Sequence, residues 1–175
     1  MSSPSNHDSF VTEVPFRSQR CMNTHLSTWR GTMAVLTDIL VAPATDAPAI
    51  ISEWPNSKRW PSLQTTGLDW LVLADLAEAL GQAALARSIE NLEASSSADE
   101  TEGPWVYVLP TELRDHIASI ASSDLSTAAE AWSDKEEAKA RGLTAQDAQR
   151  LLLEIQPLAV SARDGKKPML LWVSM

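Results

Sequence analysis

The residues best suited to reactive chemistry are His116 and Glu112, four apart in Thr111-Glu112-Leu113-Arg114-Asp115-His116. On a helix that spacing puts both side chains on one face. A carboxylate beside an imidazole can orient it for general base work in a hydrolase. The same pair also reads as a surface pair flanking the apolar stripe of Leu113 and Ile117. The other histidines, His7 and His25, lie near the start of the chain, so the body offers no two-histidine metal site. Cys21 is the only cysteine, which rules out an internal disulfide and a Cys-based zinc site. Acidic pairs such as Asp99-Glu100 and Glu136-Glu137 read as solvated charge. Catalytic residues are therefore expected to be absent, with His116 and Glu112 as the weak candidates. No metal or cofactor is implied.

Phosphate-binding loops need closely spaced glycines. Gly67, Gly81, Gly103, Gly142 and Gly165 instead fall singly, each at the boundary of an expected element. A P-loop and a dinucleotide fingerprint are both missing, as is a Gly-x-Ser-x-Gly elbow.

A binding role has more to work with. There are seven tryptophans in 175 residues. Trp54-Pro55 and Trp60-Pro61 flank Asn56-Ser57-Lys58-Arg59, and Trp70 lies off the main stripe of its helix. Trp54, Lys58, Arg59, Trp60 and Trp70 are the candidate residues for a peptide, a glycan or an acidic ligand. The competing reading is that these rings pin a long loop over the core. Trp105, Trp132 and Trp172 are expected in the core.

The formal net charge is −9. A negative field repels nucleic acid and suits a basic partner. The expected partner is another protein, and one variant is an immunity-type inhibitor that neutralises a basic toxin. No apolar run approaches the length of a membrane span, and no secretory signal is visible, so the expected location is cytoplasmic.

These side chains must be positioned by a fold. Residues 1–32 carry no sustained period and read as a flexible N-terminal arm or a start-site extension, apart from a single globular domain at 33–175. The body is expected to be α+β and mostly helical. Its small sheet has about three strands, near 35–41, 105–109 and 169–173, packed by five or six helices. The last strand, Met169-Leu170-Leu171-Trp172-Val173, is wholly apolar and therefore central. Between strands, Thr45 or Asp46 caps a short helix ended by Trp54-Pro55, and residues 55–65 form a loop. Thr66-Gly67-Leu68-Asp69 resembles a capping box for a helix reaching Gly81. A helix over 82–93 leads to a Ser-rich acidic loop from Ala94 to Gly103. Pro110 starts the helix of His116. Ser123 or Asp124 caps another, which ends at Gly142, and Thr144 caps the last, with a kink or break at Pro157.

Three stretches carry a resemblance: Gly103-Pro104-Trp105-Val106-Tyr107-Val108-Leu109-Pro110, Lys167-Pro168-Met169-Leu170-Leu171-Trp172-Val173-Ser174, and Asp38-Ile39-Leu40-Val41-Ala42. Together they resemble a group of small, uncharacterised bacterial proteins. The resemblance spans residues 33–175 in outline. It implies a shared fold, with no catalytic residue and no ligand.

Overall fold

The computed structural model describes residues 35–174. The expected arm at 1–32 lies outside the described residues. Strand β1 (Leu36–Val41) opens the fold and leads through a single 3-10 turn into helix α1 (Ala47–Glu53). Then follow β2 (Ser62–Thr66), α2 (Trp70–Ala79), α3 (Ala83–Glu90), β3 (Ser96–Ser97) and β4 (Trp105–Val108). Helices α4 (Thr111–Ser119), α5 (Leu125–Ser133), α6 (Glu136–Ala140) and α7 (Ala145–Asp164) precede the closing strand β5 (Met169–Ser174). About half of the described residues are helical, and the class is α+β.

The strands form one antiparallel sheet in the order β2-β1-β5-β4-β3. Among the described residues the sheet has five strands rather than about three. Both additions are edge strands with too little apolar content to declare themselves. In β2, Leu63 is the only large apolar residue, so 55–65 reads as loop although 62–66 pairs with β1. In β3, two serines pair with Val106 and Trp105. The expected central position of β5 is observed. Met169, Leu171 and Val173 face one core while Leu170 and Trp172 face a second, which is why the strand is apolar up to Ser174.

The two cores are unequal. The larger lies between the sheet and α2–α7, around residues such as Leu73, Ile117, Trp132 and Leu152. The smaller is made by Leu40, Val106, Leu170 and Trp172 of the sheet, packed on Ile50, Trp54 and Trp60. This thin face is covered by α1 and the turn after it.

Seven α-helices occur among the described residues, against five or six expected. The helix expected to continue to Gly142 stops at Ser133, and α6 begins after Lys135. Two distant contacts fix this break. Asp75 of α2 accepts from the Ala138 amide at 2.9 Å, and Glu78 pairs with Lys135 at 2.8 Å. A carboxylate borrowed from α2 thus satisfies a free amide in the first turn of α6. Neither Ser123 nor Asp124 caps α5 through its side chain, although Asp124 holds the cap position.

Helix α2 is capped by Asp69 rather than Thr66. The Asp69 carboxylate accepts from the Leu71 and Val72 amides, both at 3.1 Å. Thr66 belongs to β2. Thr144 caps α7 as expected, accepting from the Asp147 amide at 3.1 Å. The expected break at Pro157 does not occur, and α7 is continuous across it. Pro157 and Leu153, four residues earlier, are both exposed, so water can reach the carbonyl that the proline leaves without a donor.

Candidate functional site

Alternation along β1 places Leu36, Asp38 and Leu40 on the thin face of the sheet. Asp38 is an acid within an otherwise largely apolar strand, and it is only 5% exposed. Its neighbours across the ladder are Gln64 on β2 and Trp172 on β5. The Trp54 indole donates to Asp38 Oδ2 at 2.6 Å, and the Thr65 amide donates to Oδ1 at 3.1 Å. Burial pushes the Asp38 carboxyl above its ordinary range, because the charged form loses water there. The two donors oppose that shift without cancelling it. Among the described residues no Lys, Arg or His lies within ion-pair distance of it.

Asp38 lines a cavity of about 380 Å³ together with Leu36, Pro55, Gln64, Thr65, Thr66 and Trp172. The cavity is an open depression in the surface rather than an enclosed pocket. Trp172, also 5% exposed, contributes a second unusual group. Its buried Nε1–H has no acceptor among the described residues. A buried donor left unpaired costs about 1–3 kcal/mol, and such groups are rare in folded proteins. The cavity is therefore lined by a carboxylate with no cation and by the ring of Trp172, whose inaccessible Nε1–H is unpaired, from residues directly opposite each other on adjacent strands. Leu36 is 49% exposed and forms an apolar rim.

The residues singled out from the sequence are distributed differently. Trp54 and Trp60 are each 5% exposed and form the smaller core, so their faces are turned inward. The Trp60 indole donates to Asp46 Oδ2 at 2.9 Å, and Asp46 makes no side-chain cap to α1. Arg59 lies over the Trp60 ring, 5.1 Å from its centroid, and 3.6 Å from Asp46. Lys58 is exposed and makes no ion pair among the described residues. Trp70 is on the opposite side of the sheet, its ring 5.0 Å from that of Tyr107. The structure thus gathers Trp54, Arg59 and Trp60 but not Trp70. This agrees with the reading in which the rings pin the loop over the core, and the loop presents its two cations.

His116 is half-buried on α4 and Glu112 is exposed one turn earlier. The Glu112 carboxylate accepts from Thr111 Oγ1 at 3.3 Å, and no hydrogen bond joins it to His116. Neither residue lines the cavity. No group of three or more His, Cys, Asp or Glu side chains suited to a metal occurs among the described residues.

Asp38 and Trp172 were not singled out from the sequence. The signal for Asp38 was present: a lone acid in a buried strand must find partners or carry a function. Trp172 gave none, because an unpaired indole is visible only in three dimensions.

No described helix is long and apolar enough to cross a membrane. Comparisons with family models, with curated proteins and with solved structures give no match, so the resemblance drawn above rests on its three stretches alone.

Proposed function

We propose that this chain is a non-catalytic binding protein whose ligand enters the cavity between Asp38 and Trp172. The observation that supports this reading is the buried Asp38 carboxylate, which lines the cavity and has no cationic partner among the described residues. A ligand that donates a hydrogen bond to that carboxylate offsets part of the hydration it loses on burial. The test is a ¹H–¹⁵N spectrum of the seven tryptophan indoles, assigned by single Trp→Phe variants and recorded against a library of small polar fragments. Bound fragments are expected to move the Trp172 and Trp54 resonances first. Fragments that bind only elsewhere, or a library that moves neither resonance, would overturn the reading.

A second reading, a regulatory contact with a basic protein, draws on the charge distribution. Between Arg87 and Arg114 the chain has no Lys or Arg. Within that span Glu90, Glu93, Asp99, Glu100 and Glu102 are exposed and form no ion pair among the described residues. Such a surface favours association with a positively charged partner, as an immunity-type inhibitor does with a basic toxin. A partner purified with the chain should release as salt rises, and should bind less well to a Glu100→Lys, Glu102→Lys variant. Binding indifferent to both would remove this reading.

A further inference from the structure

We infer that the ligand is an extended peptide segment of another protein, which adds to the open edge of β2 and lays a Lys or Arg side chain across Gln64 onto Asp38. This rests on the depression beside Asp38 being the binding site.

The first support is the edge itself. β2 ends the sheet order, and β1 is its only strand partner among the described residues. The Pro61 carbonyl accepts from the Val41 amide, and the Gly67 amide donates to the Val35 carbonyl, both at 2.9 Å. These groups of Pro61 and Gly67 face β1, and by alternation so do the backbone groups of Leu63 and Thr65. Those of Ser62, Gln64 and Thr66 therefore face away from the sheet, with no hydrogen-bond partner among the described residues. Natural edge strands are commonly guarded against added strands by a charge, a proline or a bulge. Ser62-Leu63-Gln64-Thr65-Thr66 contains no charge and no proline, and its ladder with β1 runs in unbroken register. The N–H and C=O groups of Ser62, Gln64 and Thr66 are thus open to an added strand.

The second support is charge. Asp38 and Gln64 are Cα partners, so their side chains share the thin face of the sheet. The Asp38 carboxylate reaches toward β2, because its Oδ1 accepts from the Thr65 amide. It lines the depression and has no Lys, Arg or His within ion-pair distance among the described residues. Each of its oxygens already accepts one hydrogen bond and keeps capacity for a further donor. A residue of the added strand opposite Gln64 stands two strand spacings from Asp38, about 10 Å between Cα atoms. Lys and Arg are the cationic side chains long enough to cross most of that gap, and their apolar stems can lie along Gln64. Charge also argues against a second copy of this chain. Pairing β2 with β2 would bring no cation to Asp38, because Ser62–Thr66 has none, and it would join two chains each at −9.

The test uses the full ¹⁵N-labelled chain at neutral pH, with the blocked peptide acetyl-Thr-Val-Thr-Lys-Thr-Val-Thr-amide as the probe. The peptide is expected to shift the backbone amides of Ser62, Gln64 and Thr66 and the Trp54 indole saturably. The same peptide with Gln in place of Lys should bind about tenfold or more weakly. Gln64→Pro should abolish the shifts. The N–H it removes faces away from β1, so the ladder inside the sheet is kept while the edge is closed. Should that variant disturb the fold, hydrogen exchange of the Gln64 amide in the wild type serves instead: slowing on peptide binding supports strand addition, and unchanged exchange overturns it. Asp38→Asn should bring the Lys peptide down to the affinity of the Gln peptide. Should that buried change unfold the chain, the two peptides on the wild type still measure the ion pair. Equal binding of the two peptides would overturn the cation assignment. Peptide shifts that survive in a folded Gln64→Pro chain would overturn strand addition. A dimer of the free chain in light scattering, lost in Gln64→Pro, would give the edge to a second copy and overturn the proposal. A silent peptide, with polar fragments still moving the Trp54 indole, would sink the peptide inference and leave the depression as a ligand site. Silence from both peptide and fragments would remove the two readings together.

Discussion

The Trp54 indole N–H donates to Asp38 Oδ2 at 2.6 Å, joining the residue that ends α1 to the middle of β1. The bond holds the thin layer of the fold on the sheet and supplies the buried carboxylate with one of its two donors. Trp54→Phe removes the donor together with part of the buried ring. The lost hydrogen bond to a charged group should by itself destabilise the chain by about 1.5–3 kcal/mol. Urea unfolding measures this. In an Asp38→Asn background the loss should be clearly smaller, since the charge that the indole serves is gone.

Asp38 also sets a pH dependence. Its folded pKa lies above the ordinary value of 3.8, with burial as the leading cause. A raised carboxyl favours the fold most where it is protonated in both states, below 3.8. That contribution is lost as pH rises through the folded pKa, because the buried group must then ionise. The stability of the wild-type chain relative to Asp38→Asn should therefore fall as pH rises from below 3.8 toward neutrality and then level off. Parallel urea titrations across that window check the slope, and a difference independent of pH would contradict the assignment.

Helix α2 supplies a test of which residue caps it. Asp69 accepts from two amides and also pairs with Arg141, while Thr66 touches neither amide. Asp69→Ala should destabilise the chain by about 1–2 kcal/mol or more. Thr66→Ala should lie within about 0.5 kcal/mol of the wild type, as exposed strand substitutions usually do. Thermal unfolding of the two variants side by side separates the capping-box reading from the observed one.

Trp132 anchors the larger core. It is fully buried, and its Nε1–H donates to the Val72 carbonyl at 2.9 Å, tying α5 to α2. Trp132→Ala should destabilise the chain by about 3–5 kcal/mol through cavity formation and loss of that bond. Trp132→Phe should do less harm, leaving the Val72 carbonyl without this donor. The ranking Phe above Ala, read from denaturation midpoints, is the outcome expected.

What the sequence determined by itself was local. The apolar runs of β1, β4 and β5 declare themselves through composition, and the wholly apolar β5 announces that both its faces are covered. Thr144 and Gly81 mark helix ends through chemistry that acts over a few residues, an amide acceptor in one case and a positive φ of 78° in the other. The helix of His116 and Glu112 was equally legible, but their spacing did not bring them into the cavity. Tertiary structure decided everything that depends on distant partners. Polar β2 is a strand because β1 offers it a ladder, and α6 separates from α5 because Asp75 and Glu78 of α2 reach its first turn. Trp54 and Trp60 turn inward because Asp38 and Asp46 accept their indole protons, leaving Lys58 and Arg59 outside. The cavity follows the same rule. Asp38 and Trp172 stand 134 positions apart and meet only when the last strand is laid beside the first, so no local pattern could have paired them.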